Sequence, residues 1–172
     1  MTCYELDAEK SARSFEKFLS PTLKKLFDAT KVVSCENHDS ELASVLDQYG
    51  GVDALILNRR GIIPIACRIQ FDKAYRKFSV RKTRFSGVAT EYAKIRRAEA
   101  NDTIKPLYHV SAYINGDRAE IAVVKTADLM QIINVGLAAE KFFVNGLFYS
   151  VDWRQFVTLG YKIKTTSVRV LL

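Results

Sequence analysis

The chain has 172 residues, 48% hydrophobic and 26% charged, with a formal net charge of +7 at pH 7. That length fits one domain, residues 1–172, and the balance is that of an ordinary soluble globular protein. No apolar run approaches the roughly 20 residues of a membrane span, and the acidic start M-T-C-Y-E-L-D-A-E-K is the wrong pattern for a signal peptide.

Residues 7–29 read as helical, with Ala8, Ala12, Phe15, Phe18, Leu19, Leu23 and Leu26 at helical spacing. Ser20-Pro21 interrupts them with a capping residue and a first-turn proline, so two short helices or one kinked helix fit. Lys31–Cys35 is a short strand. Asp39 or Ser40 caps a helical turn carrying Leu42, Val45 and Leu46, which Gly50-Gly51 ends.

Strand Val52–Asn58 and strand Ile62–Phe71 flank the turn Asn58-Arg59-Arg60-Gly61 and form a hairpin. Pro64 early in the second strand places its start at an edge. Lys77–Lys82 alternates basic and apolar and reads as a strand with one charged face. A helix follows over Ala89–Ala100, with Glu91, Lys94, Arg96, Arg97 and Glu99 on its polar side.

Asn115-Gly116-Asp117 joins strands Leu107–Ile114 and Arg118–Lys125 as a second hairpin. Thr126 caps a helix through Asn134. Phe142–Val144 and Leu147–Val151 flank another Asn-Gly turn, Asp152 caps W-R-Q-F-V-T-L, and Gly160 ends that helix. A strand over Tyr161–Leu172 completes an α/β (or α+β) fold with a central mixed sheet and flanking helices.

Three cysteines, Cys3, Cys35 and Cys67, with no C-x-x-C argue against a disulfide framework or a zinc site and point to a reducing cytoplasm. His38 and His109 are far apart and lack ligand spacing. No G-x-x-x-x-G-K-[ST] loop is present, so ATP dependence is not indicated. From Arg59 to Lys105 there are 13 Lys and Arg against four acids, a local +9 that leaves −2 for the rest. That is the footprint of a polyanion-binding surface, or of a solvated basic face. Tyr75, Phe78, Phe85 and Tyr92 interleave with these bases and are either base-stacking platforms or core.

The hairpin carries the notable polar group. Asp53 opens its first strand, and Arg68 and Gln70 share one face of the second while Cys67 and Ile69 take the other. Ionisable residues inside apolar runs are costly to bury unless paired, bound or at a rim. The plainer alternative is a turn-supporting Asp with an Arg extending off an edge.

Helix, short strand, G-x-D opening a strand, turn, strand with charged or amide residues, helix: this order resembles the PD-(D/E)XK nuclease superfamily. Gly51-Val52-Asp53 and Ala66–Gln70 carry the motif. The resemblance implies a restriction-endonuclease-like fold in which carboxylates hold Mg²⁺, with Mn²⁺ as a substitute, against a phosphodiester. The family's acidic-x-Lys triplet is absent. One register lays Arg68-Ile69-Gln70 over it, leaving Gln70 as an oxygen ligand. The other lays Ala66-Cys67-Arg68 over it, keeping a cation at Arg68 and requiring an acid from elsewhere. Some restriction enzymes of the superfamily take that acid from the following helix, and Glu91 is the candidate here; a surface Glu paired at helical spacing is the alternative.

The expectations are therefore a catalytic set of Asp53, Arg68, Gln70 and Glu91, with Asp53, Gln70 and Glu91 as metal ligands. Arg59, Arg60, Lys77, Arg81, Lys82 and Arg84 are the candidate contacts to nucleic acid, more readily DNA than RNA. Oligomeric state is open, a homodimer included. A non-catalytic nucleic-acid-binding module and a regulatory domain meeting an acidic protein are the competing readings.

Overall fold

The computed structural model describes residues 3–35, 40–71 and 73–169, and the side chains of residues 9 onward within them. Asp39, His38, Asp72 and the last three residues of the expected C-terminal strand lie outside the described residues.

Helix α1 (Cys3–Ser14) runs through a widened π-helical turn, Phe15–Leu19, into α2 (Ser20–Phe27). The widening suits Pro21, which has no N–H to give the ladder. Ser20 N–H reaches Phe15 O, and the Thr22 hydroxyl donates to Phe18 O at 2.6 Å. The Ser20-Pro21 signal thus marks a change of helical register within a continuous rod. Asp28 closes it in the left-handed region at φ 48°.

The strands are β1 (Ala29–Ser34), β2 (Ala54–Asn58), β3 (Gly61–Phe71), β4 (Lys77–Arg84), β5 (Tyr108–Asn115), β6 (Arg118–Lys125), β7 (Ala139–Phe143), β8 (Gly146–Asp152) and β9 (Ile163–Arg169). The remaining helices are α3 (Glu41–Val45), which continues as a π-turn Leu46–Gly50, α4 (Glu91–Ala100), α5 (Thr126–Asn134) and α6 (Trp153–Thr158). Among the described residues the strands form two sheets, where one was expected. The larger has the order β1-β2-β3-β5-β6-β9, and the smaller β4-β8-β7. In the larger, β3 and β5 are parallel and every other pair is antiparallel. A parallel pair needs a crossover, and residues 72–107, with β4 and α4, supply it.

β5 and β6 are buried almost throughout, as their near-continuous apolar runs suggest for strands covered on both faces. On one face Phe15, Phe18, Leu19 and Leu23 pack against Ile56, Ile65 and Val110. On the other, Phe78, Val80 and Val151 of the small sheet meet Ile95, Leu129, Ile132 and Phe156 of α4, α5 and α6 over Tyr113, Ala122 and Val124. Both layers share the large sheet, giving one α+β domain with a mixed central sheet.

Two expected details change. Lys125 is the N-cap of α5, without a side-chain cap bond, while Thr126 is its first helical residue and shares a 3.0 Å hydrogen bond with buried His109 Nδ1. Pro64 does not mark an open edge: it pairs with Leu55 of β2 on one side, and on the other its carbonyl accepts from Leu107 N–H at 2.7 Å, just ahead of β5.

Candidate active site

Backbone constraints set Asp53 in place. Gly50 sits so close to Ile104 that an added Cβ would lie 2.8 Å from its carbonyl oxygen, and Gly51 takes φ 65°. The chain can then turn sharply into β2. Asp53 N–H donates to Ile65 O at 2.9 Å, its carbonyl accepts from Cys35 N–H at 2.8 Å, and its Oδ2 accepts from Cys67 N–H at 2.6 Å. The carboxylate is thereby held against β3, one residue before Arg68.

Glu91 comes from the crossover. Thr90 caps α4, accepting from Ala93 N–H at 3.3 Å and donating to Lys82 O at 3.1 Å. This pins the first turn of α4 to β4. Glu91 Oε2 accepts from Arg81 N–H at 2.7 Å, and Oε1 lies 3.6 Å from Arg68 Nη1. At that distance, with both side chains about a third exposed, the ion pair is loose and contributes about 0–1 kcal/mol. Lys94, on the same helix, reaches back to Asp47 O at 2.6 Å.

Asp53, Arg68, Gln70, Arg81 and Glu91 line one cavity of about 280 Å³. Two of its polar atoms are buried without a hydrogen-bond partner: Gln70 Oε1 and Arg81 Nε. Burial also pushes the Arg81 pKa down, against the pull of Glu91, with Arg84 and Arg68 adding to the depression. Arg68 and Arg81 both lie over the Phe148 ring, 4.7 and 5.0 Å from its centroid. Two cations against one aromatic ring, within reach of each other's field, make a place where an anion is favoured.

The four expected catalytic residues are thus brought together from the residue before β2, from β3 and from α4. The expected basic contacts scatter. Arg81 lines the cavity. Lys82 instead pairs with Glu140 at 2.5 Å, and Arg84 is exposed farther along β4. Lys77 lies at the other end of β4, where desolvation and then Lys141 hold its pKa below the usual range. Arg59 and Arg60 occupy the β2–β3 turn, at the far end of β2 from Asp53, about 17 Å away along a five-residue strand. The aromatics divide likewise: Phe78 is core, Tyr92 packs on Tyr149 at 5.1 Å, and Tyr75 and Phe85 are exposed. Phe148 had no signal in the sequence, because its role depends on β8 pairing with β4 across a separation of more than 60 residues.

Among the described residues no three His, Cys, Asp or Glu side chains gather as a metal group. The cavity's side-chain oxygen donors are two carboxylates, the Gln70 amide oxygen and the hydroxyls of Ser11 and Ser34. Among the described residues no helix is long and apolar enough to cross a membrane. Compared with protein-family models, curated proteins and solved structures, the chain finds no significant match.

Proposed function

We propose that this protein is a cytoplasmic, divergent PD-(D/E)XK-type nuclease acting on DNA phosphodiesters at the Asp53–Arg68–Gln70–Glu91 cavity, on a restriction-endonuclease-like fold. The observation that carries the reading is convergence: these residues, distant in sequence, line one cavity with Arg81. The element order supports it too, with helices, an antiparallel β1-β2-β3 run, then a crossover to parallel β5.

The donor set fits a hard divalent cation. Gln70 Oε1 is a buried acceptor with no donor, an arrangement that costs about 1–3 kcal/mol unless a ligand completes it. Asp53, Gln70 and Glu91 would hold Mg²⁺, or Mn²⁺ in its place. Such an ion supplies polarisation of the phosphate and an activated water. The chain's own cations do the rest. Arg68 and Arg81 bind and orient the phosphate oxygens and stabilise developing charge. Neither moves a proton, since a guanidinium stays protonated near neutral pH. In this reading Ala66-Cys67-Arg68 overlies the family triplet, and Glu91 of the following helix stands in for the missing acid.

A second reading has its own support. Glu91 is already engaged by Arg68 and by Arg81 N–H, which suits a site that binds phosphate without cutting. The test is incubation of plasmid and single-stranded DNA with Mg²⁺ or Mn²⁺. The expected result is cleavage that EDTA stops and Asp53→Asn abolishes. Salt-sensitive binding without cleavage in either metal would replace catalysis with binding alone. Absence of binding at moderate salt would overturn both and favour an acidic protein as partner.

A further inference from the structure

The four free edges of the two sheets differ sharply. β9 carries Lys164, Arg169 and a run of hydroxyls. β1 is short and carries Lys31, and α4 covers the edge of β4, with Glu91 taking Arg81 N–H and Thr90 taking Lys82 O. Charge, short length and covering elements are how natural sheets blunt an edge. β7 is also short and carries Glu140 and Lys141, but it sets exposed apolar residues beside them. All five of its residues are exposed. Phe142 is 80% exposed, Phe143 55% and Val144 97%, with Val135 and Leu137 exposed just before them. Every second residue of an antiparallel edge strand also directs its N–H and C=O outward.

We propose that β7 pairs with β7 of a second copy, antiparallel and about a two-fold axis at Phe142, making one continuous six-stranded sheet from two small ones. The charges exclude two of the neighbouring registers. Such an axis runs perpendicular to the sheet, so each residue meets one on the same face. An axis at Glu140 or Lys141 sets like charges against each other. An axis at Phe142 stacks Phe142 on the partner's Phe142 and lays Lys141 over the partner's Phe143, a favourable cation–π contact. Glu140 then meets the partner's Val144, and Lys82 already neutralises it at 2.5 Å.

The axis also keeps faces together. Arg81 and Phe148, opposite each other on β4 and β8, point to the same side in both copies. The β4 strands, each carrying a cavity-lining Arg81, then lie roughly 24 Å apart across five strand spacings. Presentation of two cavities to one duplex rests on the nuclease reading; the strand pairing does not.

The test is light scattering of the full chain during size exclusion at tens of micromolar. The expected mass is twice the 19.5 kDa of the chain, falling to the single value in Phe142→Asp. Phe142 is exposed, so this change leaves the core intact. A short bis-maleimide provides the second measurement: Phe142→Cys is expected to crosslink into a covalent dimer, well above wild type and Lys141→Cys, because only position 142 faces itself. A monomeric wild type, or a dimer that survives Phe142→Asp and is not trapped through the Phe142→Cys thiol, overturns the proposal. Neither readout involves cleavage, so the pairing and the nuclease reading fail separately.

Discussion

The groove between α6 and β9 has more than twice the volume of the cavity between β3 and α4, about 700 against 280 Å³, yet its charges are already matched. Arg76 binds Glu120 with two hydrogen bonds, at 2.7 and 3.1 Å, and holds that carboxyl below its usual range. Arg154 does the same for Asp152 at 3.0 and 3.1 Å. The groove's one orphan is the indole N–H of Trp153. In the small cavity the ion pair is loose, one amide oxygen has no donor and one guanidinium N–H has no acceptor. Volume measures space, whereas incomplete satisfaction measures what a ligand would gain by entering. On that criterion the smaller cavity is the site.

The sharpest way to break this comparison is Asp53→Asn. The amide keeps an oxygen for Cys67 N–H, so the fold should survive while cleavage falls by roughly a hundredfold or more. Unchanged cleavage, read on a plasmid gel, would move the chemistry elsewhere.

His109 tests the packing directly behind the cavity, where it pairs with Ala66 of β3. Burial lowers its pKa from 6.5 to about 4, against a smaller opposing pull from Glu91. The native state thus binds fewer protons than the unfolded chain between those values. Stability should be complete above pH 6.5 and decline toward pH 4, by on the order of 3 kcal/mol. Urea titrations across that range should show the slope, and His109→Gln should flatten it.

Glu91→Gln separates the two functional readings. If Glu91 holds a metal, cleavage should fall by roughly tenfold or more. If the cavity only binds phosphate, removing the competitor for Arg68 should tighten DNA binding, read by fluorescence anisotropy. Unaltered cleavage and binding would remove Glu91 from the site.

Smaller effects contrast the two cavities directly. Arg68→Ala should weaken binding and reduce the salt slope by about 1. Arg76→Ala, in the large groove, should leave binding and the melting temperature unchanged, because its partner Glu120 is also near solvent. A salt slope lowered equally by both would erase the distinction drawn between the cavities.

The local elements were legible because their signals lie within a few residues. Ser40 accepts from Ala43 N–H, Asp152 forms a capping box with Gln155, and Gly160 follows α6 at φ 77°. The hairpin that carries Asp53, Arg68 and Gln70 was legible for the same reason: alternation fixes faces and a turn fixes register. Glu91 was nameable through a resemblance, but its nearness to Arg68 was not, since it depends on Thr90 anchoring α4 to β4.

The sequence by itself determined the helices, the hairpins, the alternating faces and the concentration of positive charge, all consequences of short-range stereochemistry and periodicity. Only the tertiary structure decided that β4 leaves the main sheet to join β8, that Phe148 supports two arginines, and that Arg59 and Arg60 lie far from the cavity. Those outcomes follow from strand pairings between distant segments, selected by burial of the whole core, and no local pattern encodes which segments will meet.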